Sequence, residues 1–398
     1  MKLFYTIGVN VYYFAVLVAS IWNPKAKKWI NGRKEIWTQI GSFIPKEHVY
    51  WFHCASLGEF EQGRPLMEAL KSRQNCQIVV TFFSPSGYEI RKNYNGADLI
   101  VYLPRDSKRN ASKLLGAIKP VSVFFVKYEF WANYIFECNK RNIPIYLVAG
   151  LFRENQIFFK GYGGFMRKVL ESFTKIYVQN DDSRALLNGI GLPSIVAGDT
   201  RYDRVLKNAA QVISYPEVER FCGDSKVLIC GSIWDEDLQV IHNKINDLNE
   251  WKVIIAPHEI SEGFIKRIEQ LIKLKSIRYS QIDQCSDEKV LIIDNIGMLM
   301  NLYQYGDVAF VGGGYKTGLH NILEPAAFGL PVMFGDKFEK FPEAFIFIEN
   351  GIGFTIPNAH TFYHVLDAVV GQALNEKVIS FMKSQTGATD KILQEIIP

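Results

Sequence analysis

From residue 48 onward, short runs of β-branched and aromatic residues alternate with longer amphipathic stretches. Such alternation is typical of βαβ units, in which helices cover both faces of a parallel sheet. A first series of predicted strands comprises Val49–Cys54, Gln77–Phe82, Leu99–Leu103, Val121–Val126, Ile145–Ala149 and Lys175–Val178. After a break at 189–203, a second series comprises Val227–Cys230, Lys252–Ala256, Val290–Ile293, Asp307–Val311 and Val332–Phe334.

Each series is too long for one βαβαβ unit, so the sequence predicts an α/β fold with two Rossmann-like domains. We place these domains at 35–205 and 206–398, after a separate amino-terminal segment at 1–34. Open α/β sheets bind ligands at the carboxyl ends of their strands. We therefore expect the two domains to face a cleft lined by the residues that follow the strands.

The amino-terminal segment contains a charge-free apolar stretch, Leu3–Trp22, that is just long enough to cross a bilayer as a helix. The basic residues Lys25, Lys27, Lys28, Arg33 and Lys34 follow it. By the positive-inside rule, they keep the rest of the chain in the cytoplasm, and they attract anionic lipid headgroups. This pattern predicts a membrane anchor. A cleaved signal peptide is disfavoured because no small-x-small site precedes Pro24, whereas a helix docked on the protein or lying in the membrane interface remains an alternative.

Charge and cysteine content exclude two broad classes of protein. The first fifty residues hold seven Lys or Arg against two Glu, so the net charge of +4 leaves about −1 for the remainder. A basic nucleic-acid-binding surface is therefore not supported. The six cysteines lack paired spacing, which argues against a zinc ribbon or a disulfide framework and favours reduced thiols in the cytosol.

The first predicted strand is followed by a segment with two interpretations, His53-Cys54-Ala55-Ser56-Leu57-Gly58-Glu59. Ser56 and Glu59 have the spacing of a helix capping box, which is a purely structural role. Alternatively, Glu59 is a base that accepts a proton from a substrate hydroxyl, and Gly58 lets the backbone approach the ligand. A second junction places Lys127 and Glu129 beside aromatic residues, as a surface ion pair or as groups that orient a polyhydroxylated ligand.

The second half contains Gly312-Gly313-Gly314, which we predict to lead into a helix that includes Asn321 and Glu324. Consecutive glycines before a helix can present backbone N–H groups to a phosphate, and Glu324 can bind ribose hydroxyls. A tight turn explains Gly329 and Pro331 but leaves the three glycines unexplained. The junctions containing Ser232 and His258 point to the same cleft, although Ser232 has the alternative of a helix cap and His258 that of an ordinary satisfied histidine.

Taken in order, these junctions resemble the 3-deoxy-D-manno-octulosonic acid (Kdo) transferases of lipopolysaccharide assembly. The resemblance rests on motifs spread over almost the whole chain: the apolar amino terminus, His53-x-x-Ser56-x-Gly58-Glu59, Thr81 with Ser86-Gly87, Tyr102-Leu103-Pro104-Arg105-Asp106, Glu129-x-Trp131-x-Asn133, Arg153 with Tyr162, Gly198-Asp199-x-Arg201-Tyr202-Asp203, and Gly312-Gly313 through His320-Asn321-x-x-Glu324-Pro325. It implies the two-domain GT-B glycosyltransferase fold, CMP-Kdo as donor, a lipid A precursor as acceptor, and attachment to the cytoplasmic face of the inner membrane.

Carried over position by position, the resemblance implies that Glu59 is the general base and that Glu129 lies in the acceptor-side active site, for which we also predict Ser56, Gly58 and Lys127. The predicted donor site comprises Gly231, Ser232, Pro257, His258, Gly313, Gly314, Asn321 and Glu324. One departure concerns His258, because the family usually has an arginine directly after the proline at this point. Lys316, Arg201 or a helix end are candidates to neutralise the phosphate instead.

A single base without a second, nucleophilic carboxylate indicates one direct displacement with inversion. No Asp-x-Asp motif is present, so neither a bound metal nor another cofactor is expected. The alternatives are another GT-B sugar-nucleotide enzyme, such as a UDP-sugar transferase or a 2-epimerase, and a membrane-tethered binding module without activity. An epimerase has no need of a membrane anchor, and a non-catalytic module has no need of both Glu59 and Glu324.

Overall fold

The computed structural model describes residues 2–316 and 318–396, so Thr317 of the glycine-rich segment lies outside the described residues. It contains two compact units, one running up to Asp203 and including the segment from Thr386 onward, the other Arg204–Gln385. Within the described residues, each unit holds a seven-stranded parallel sheet. The predicted α/β fold with two Rossmann-like domains is confirmed.

The first sheet has the order β3-β2-β1-β4-β5-β6-β7. Its strands are β1 (Val49–Cys54), β2 (Gln77–Phe82), β3 (Leu99–Tyr102), β4 (Ser122–Val126), β5 (Ile145–Gly150), β6 (Lys175–Val178) and β7 (Ile195–Val196). The central strands are buried along their whole length because helices cover both faces. These helices are α4 (Leu57–Arg73), α5 (Pro85–Arg91), α6 (Lys108–Ile118), α7 (Ala132–Lys140), α8 (Gly164–Glu171) and α9 (Asp181–Asn188), and α10 (Thr200–Ala209) leads into the second unit.

The second sheet has the order β10-β11-β9-β8-β12-β13-β14. Its strands are β8 (Lys226–Ile233), β9 (Trp251–Pro257), β10 (Ser276–Arg278), β11 (Val290–Ile292), β12 (Val308–Val311), β13 (Val332–Phe334) and β14 (Gly353–Thr355). The helices of this unit are α11 (Pro216–Cys222), α12 (Asp235–Ile245), α13 (Glu262–Leu271), α14 (Leu299–Leu302), α15 (Leu323–Ala327), α16 (Pro342–Glu349), α17 (Thr361–Gly371) and α18 (Asn375–Ser384).

The carboxyl-terminal helix α19 (Ala388–Gln394) returns to the first unit, whereas the domain prediction assigned it to the second. Its Ile392 and Leu393 are buried in the same core cluster as Phe52 and Phe60. The ion pair between Lys175 and Glu395, at 2.6 Å, lies at the end of this segment. Burial of two aliphatic side chains at roughly 1.5–3 kcal/mol each accounts for the return.

The amino-terminal segment forms α1 (Lys2–Ala19), α2 (Pro24–Asn31) and α3 (Ile36–Ser42). Helix α1 has a mean hydropathy of 1.4, so by length and composition alone it could cross a membrane. One side of α1 is nevertheless docked on the first unit. The Tyr5 hydroxyl donates to Asp106 Oδ2 at 2.6 Å and accepts from the Ala132 N–H at 3.1 Å, and the Tyr13 ring packs 4.7 Å from that of Trp29.

Arg33 does not belong to an exposed basic patch. Its guanidinium lies 3.6 Å from the centroid of the Trp29 ring and donates to the carbonyl oxygens of Trp29, Phe83 and Leu103. Burial lowers the pKa of Arg33 to about 10. This residue therefore fastens the amino-terminal helices to the first unit, which leaves Lys25, Lys27, Lys28 and Lys34 as the basic residues able to meet lipid headgroups.

Candidate active site

In the first unit, the candidate acceptor-side residues follow two neighbouring strands. The chain runs from β1 outward to β2 and β3 and then returns to add β4 on the other side of β1. Ligands of open α/β sheets bind where the strand order reverses in this way. Glu59 follows β1 and Glu129 follows β4, so the two predicted carboxylates flank this point.

Glu59 fulfils the capping role that was the alternative to catalysis. Ser56 is the N-cap of α4, and its backbone N–H donates to Glu59 Oε2 at 2.8 Å. The Ser56 hydroxyl donates to the same oxygen at 3.2 Å. Both hydrogen bonds use Oε2, so the cap is compatible with a role for Oε1 toward a ligand. Gly58 is exposed, and a Cβ there would meet no atom within 4 Å, so the chain offers open space beside Glu59.

Glu129 is held by two buried or partly buried rings. Its Oε2 lies 2.9 Å from His53 Nε2 and accepts the indole N–H of Trp131 at 2.6 Å. On the far side of the imidazole, Nδ1 lies 2.8 Å from Thr81 Oγ1, which also accepts the indole N–H of Trp51 at 2.8 Å. The chain Trp51–Thr81–His53–Glu129–Trp131 thus fixes the carboxylate. Of these residues, only Glu129 was predicted from the sequence to be a site residue. The position of His53 near the end of β1 is the sequence feature that could have revealed this hydrogen-bonded chain.

The two carboxylates are coupled electrostatically. Burial, together with the nearby charge of Glu129, raises the pKa of Glu59 to about 7, against the opposing hydrogen bonds from Ser56 and the charge of Lys127. Each carboxylate is only 8% exposed. A carboxylate with a pKa near neutrality is a far better proton acceptor at physiological pH than an ordinary glutamate.

Lys127 occupies a strained position at the end of β4. Its backbone φ is +65°, in the left-handed region that costs a non-glycine residue energy, and its N–H donates to the Val148 carbonyl at 2.9 Å. Such strain is common at functional sites. The charge of Lys127 partly offsets that of Glu129 at Glu59.

Two pockets of the first unit share Tyr5, Val9 and Trp131, and Glu129 lines the first of them. The first, of about 420 Å³, is lined by Tyr5, Val9, Tyr128, Glu129, Phe130, Trp131, Gln156, Ile157, Phe158 and Met166. The second, of about 450 Å³, is lined by Tyr5, Gly8, Val9, Tyr12, Tyr13, Phe83 and Trp131. The sequence predicted an anchor and left a docked helix as the alternative, but it did not place α1 beside the candidate site, because an apolar run does not reveal which face is docked.

In the second unit, the predicted donor residues also lie at a reversal of strand order, between β8 and β12. Gly231 lies in β8, where a Cβ would come within 2.2 Å of the Tyr303 hydroxyl, so only glycine fits. Ser232 has a φ of +56° at the bulge where β8 shifts its register against β9. Bulges re-aim side chains beside ligand sites.

Two of the three glycines already use their N–H groups within the second unit. The Gly312 N–H donates to the Gly231 carbonyl at 2.9 Å, and the Gly313 N–H donates to Asp237 Oδ2 at 2.8 Å. The glycines are also needed for close packing: a Cβ on Gly312 would lie 2.3 Å from Ser232 O, and one on Gly314 would lie 2.6 Å from the Gly335 nitrogen. Moreover, helix α15 begins only at Leu323, so the glycines do not lead directly into it.

Asn321 and Glu324 are brought together, although not on one helix face as predicted. Asn321 precedes α15, where its Oδ1 accepts the Leu323 N–H at 3.1 Å and its Nδ2 donates to Glu324 Oε1 at 3.0 Å. Burial raises the pKa of Glu324, against the Asn321 hydrogen bond and the charge of Arg204. The pair presents an amide and a carboxylate after β12.

Three aromatic side chains gather at the ends of β8, β9 and β12. His258, directly after Pro257, stacks on Trp234 with 4.2 Å between ring centroids and on His320 with 4.4 Å. Trp234 and His320 were not among the predicted site residues. They come from junctions far apart in the sequence, which only the strand order brings together.

The two side chains proposed to replace the family arginine are both in ion pairs. Lys316 pairs with Glu236 on the surface of the second unit. Arg201 belongs to the first unit, where it contacts Asp199 Oδ2 at 2.7 Å. Asp199 in turn accepts a hydrogen bond from Gln62 at 3.3 Å, so this pair has a structural role within its own unit.

Two seven-stranded parallel sheets, each in its own unit, define a fold of the GT-B type. The fold is shared with the UDP-GlcNAc 2-epimerase of Neisseria meningitidis, at a TM-score of 0.60 and 16% identity over 88% of this chain and 99% of that one.

The sequence is similar to those of Kdo transferases, as its motifs indicated. Residues 31–204 match the family described as 3-deoxy-D-manno-octulosonic-acid transferase (kdotransferase). A 3-deoxy-D-manno-octulosonic acid transferase of Chlamydophila psittaci is 28% identical over 79% of this chain and 77% of its own length. A bifunctional glycosyltransferase/methyltransferase of Fusobacterium nucleatum is 26% identical over 89% of this chain, which spans only 57% of that relative.

Proposed function

We propose that this protein transfers Kdo from CMP-Kdo to a lipid A precursor such as lipid IVA. The observation that carries the proposal is Glu59, a buried carboxylate whose pKa is raised to about 7, at the strand reversal of the segment that matches the Kdo transferase family. Its test is the formation of a Kdo-bearing lipid from CMP-Kdo, with an equal amount of CMP released.

In the proposed reaction, Glu59 accepts the proton of an acceptor hydroxyl as that oxygen forms a bond to the anomeric carbon of Kdo. The bond between the anomeric carbon and the phosphate oxygen of CMP breaks, and CMP leaves with the electron pair. One displacement of this kind inverts the anomeric configuration. Glu129 keeps the proton affinity of Glu59 high, while the ring chain through His53 fixes the position of Glu129.

The pockets beside Glu129 support a lipid acceptor. The first is lined by Glu129, and both are walled largely by aromatic and aliphatic side chains of α1 and of the segments after β2, β4 and β5. Apolar walls of this kind suit a hydrocarbon chain and not a soluble sugar. We infer that α1 helps to position the acceptor besides holding the enzyme at the membrane.

On the donor side, Gly231, Ser232, Pro257, His258, Gly313, Gly314, Asn321 and Glu324 remain our proposed CMP site. The carboxylate of Glu324, oriented by Asn321, is suited to accept hydrogen bonds from the ribose hydroxyls. Because the amides of Gly312 and Gly313 are already bonded, the glycines contribute by allowing close approach of the backbone.

Glu324→Ala is expected to weaken CMP binding by one or two charge-assisted hydrogen bonds, at roughly 1.5–3 kcal/mol each. Calorimetric titration with CMP measures the loss. Glu349→Ala, which removes an exposed carboxylate of the same unit, serves as the control and is expected to leave the affinity unchanged. Equal CMP affinity in the parent and in folded Glu324→Ala would remove Glu324 from the donor site.

We propose further that α1 does not span the inner membrane but lies parallel to it, at the interface on its cytoplasmic side. Its Tyr5 side is hydrogen-bonded to the first unit, and lipid cannot surround a helix docked in this way. Its opposite side exposes Leu3, Phe4, Ile7, Val11, Phe14 and Leu17. An apolar helix face beside exposed lysines is suited to the boundary between acyl chains and anionic headgroups.

Replacing Phe4 and Phe14 together by Glu is expected to abolish binding to anionic vesicles at high salt, because both rings are more than half exposed. Vesicle sedimentation measures binding, and CMP affinity should be preserved because the change lies in the other unit. Phe345→Glu, an exposed phenylalanine of the second unit, is the matched control. Undiminished sedimentation of the double variant at high salt would place the membrane-binding element elsewhere.

A further inference from the structure

Trp234 and His320 form a flat plate of two rings at the end of β8 and after β12. The indole N–H of Trp234 donates to His320 Nε2 at 2.8 Å. The two ring planes differ by only 12°, and their centroids lie 6.3 Å apart, so the rings lie side by side and not face to face. Together they offer a planar surface larger than either ring alone.

His258 lies over both rings of this plate. Its plane is inclined by 24° to that of Trp234 and by 26° to that of His320, with centroid distances of 4.2 and 4.4 Å. One face of the imidazole is thus covered, while His258 as a whole is exposed to solvent. The outer face of the ring is a small, flat aromatic surface with a rigid support.

The backbone fixes each of the three rings. The N–H of Trp234 donates to Asp237 Oδ2 at 2.9 Å, and the same oxygen accepts the Gly313 N–H. The N–H of His258 donates to the Ile233 carbonyl at 2.9 Å, and that of His320 donates to the Gly312 carbonyl at 3.1 Å. The surface is therefore built before any ligand arrives, at the strand reversal where nucleotides bind in Rossmann-like domains.

The rings are suited to stacking rather than to ion pairing. Burial, with a smaller effect of His258, lowers the pKa of His320 to about 4, and burial also lowers the pKa of His258. At neutral pH the surface is therefore aromatic and uncharged. Nucleobases stack favourably on such surfaces because every base offers a flat π-face.

We infer that the outer face of His258, supported by Trp234 and His320, stacks against the pyrimidine base of the donor nucleotide. This inference rests on the proposed function, because it takes the nucleotide to be CMP. It assigns His258 a contact with the base, so the phosphate must be neutralised by other groups.

Calorimetric titration with CMP of the parent, His258→Ala and His258→Phe tests the inference. His258→Ala is expected to weaken CMP binding by roughly 5- to 150-fold, the usual range for loss of one base-stacking ring. His258→Phe keeps a flat ring without a proton to donate, and we expect its affinity to stay within a few-fold of the parent. His242→Ala, which removes a partly buried histidine of α12, is the control and should leave the affinity unchanged.

Each other outcome is decisive. If both His258 variants lose affinity for CMP to the same extent, the nitrogen atoms of the imidazole contact the phosphate. The proposal that the ring stacks on the base would then be wrong. If neither variant loses affinity, the surface does not contact the nucleotide. A parent protein that does not bind CMP at all would instead overturn the donor assignment in the proposed function. Circular dichroism confirms that the variants are folded.

Discussion

Glu59→Gln is expected to slow Kdo transfer by roughly a hundred- to ten-thousand-fold, because an amide cannot accept the acceptor proton. The substitution separates the two roles of this residue. The Gln side-chain oxygen can still accept the Ser56 N–H that now bonds Glu59 at 2.8 Å, so the helix cap is preserved. If capping were the only role, turnover would stay within a few-fold of the parent.

The same variant has a predicted effect on stability. A carboxyl whose pKa rises from 4.5 in the unfolded chain to about 7 in the folded protein favours folding at low pH, and this contribution is lost as the pH rises through 7. Gln does not ionise, so it does not lose this contribution to stability as the pH rises. Above pH 7, Glu59→Gln is therefore expected to be more stable than the parent by up to about 3 kcal/mol, and the advantage should shrink toward pH 4.5.

Kdo transfer and thermal unfolding, each measured between pH 5 and 8, check both effects. Glu61→Gln is the matched control, since Glu61 lies two residues further along α4 and pairs with Arg91 at 2.7 Å. It should keep the turnover of the parent. Normal turnover in Glu59→Gln would end the assignment of Glu59 as the base.

Glu129→Gln is expected to shift the acidic limb of the pH–rate profile to lower pH. In the parent, this limb should lie near pH 7, because Glu59 must be ionised to act as the base. Removing the negative charge of Glu129 makes Glu59 easier to ionise, so its pKa falls. Burial still opposes ionisation, so the limb should stop above the ordinary glutamate value.

The maximal rate should fall in Glu129→Gln as well, because a weaker base accepts the proton less readily. A pH–rate profile under saturating donor measures both effects. Glu137→Gln is the matched control: Glu137 is a buried carboxylate of the same unit, paired with Arg141 at 3.0 Å, and does not act on Glu59. An acidic limb that stays in place in Glu129→Gln would show that Glu129 does not tune the base.

The sequence predicts most strands within the sheets well and misses three of the four edge strands. Val49–Cys54, Gln77–Phe82, Lys175–Val178 and Val332–Phe334 were predicted with the bounds that the structure shows. Strands β7, β10 and β14 were missed. Each lies at the edge of its sheet and is only partly buried, so it lacks the continuous buried apolar run that identifies the equally short β13.

The part of the candidate site that could be predicted consists of residues that directly follow strands. Glu59 and Glu129 were noticed because they follow predicted strands and were assigned to the site by the family resemblance, and the structure places both at the strand reversal of the first sheet. The sequence does not show that Asp237 already binds the Gly313 N–H, so the part of the glycine triplet in a phosphate site stays a prediction. The stack of Trp234, His258 and His320 could not be foreseen, since it depends on which of the strands β8, β9 and β12 are neighbours.

Mass analysis of lipid IVA after incubation with the protein and a CMP-Kdo-generating system tests the central claim most directly. We expect lipid that has gained the mass of one or more Kdo residues, with no gain in a parallel incubation with Glu59→Gln. A UDP-sugar supplied in place of the CMP-Kdo system should leave the lipid unchanged. Unmodified lipid IVA in the presence of folded, CMP-binding parent protein would contradict the assignment.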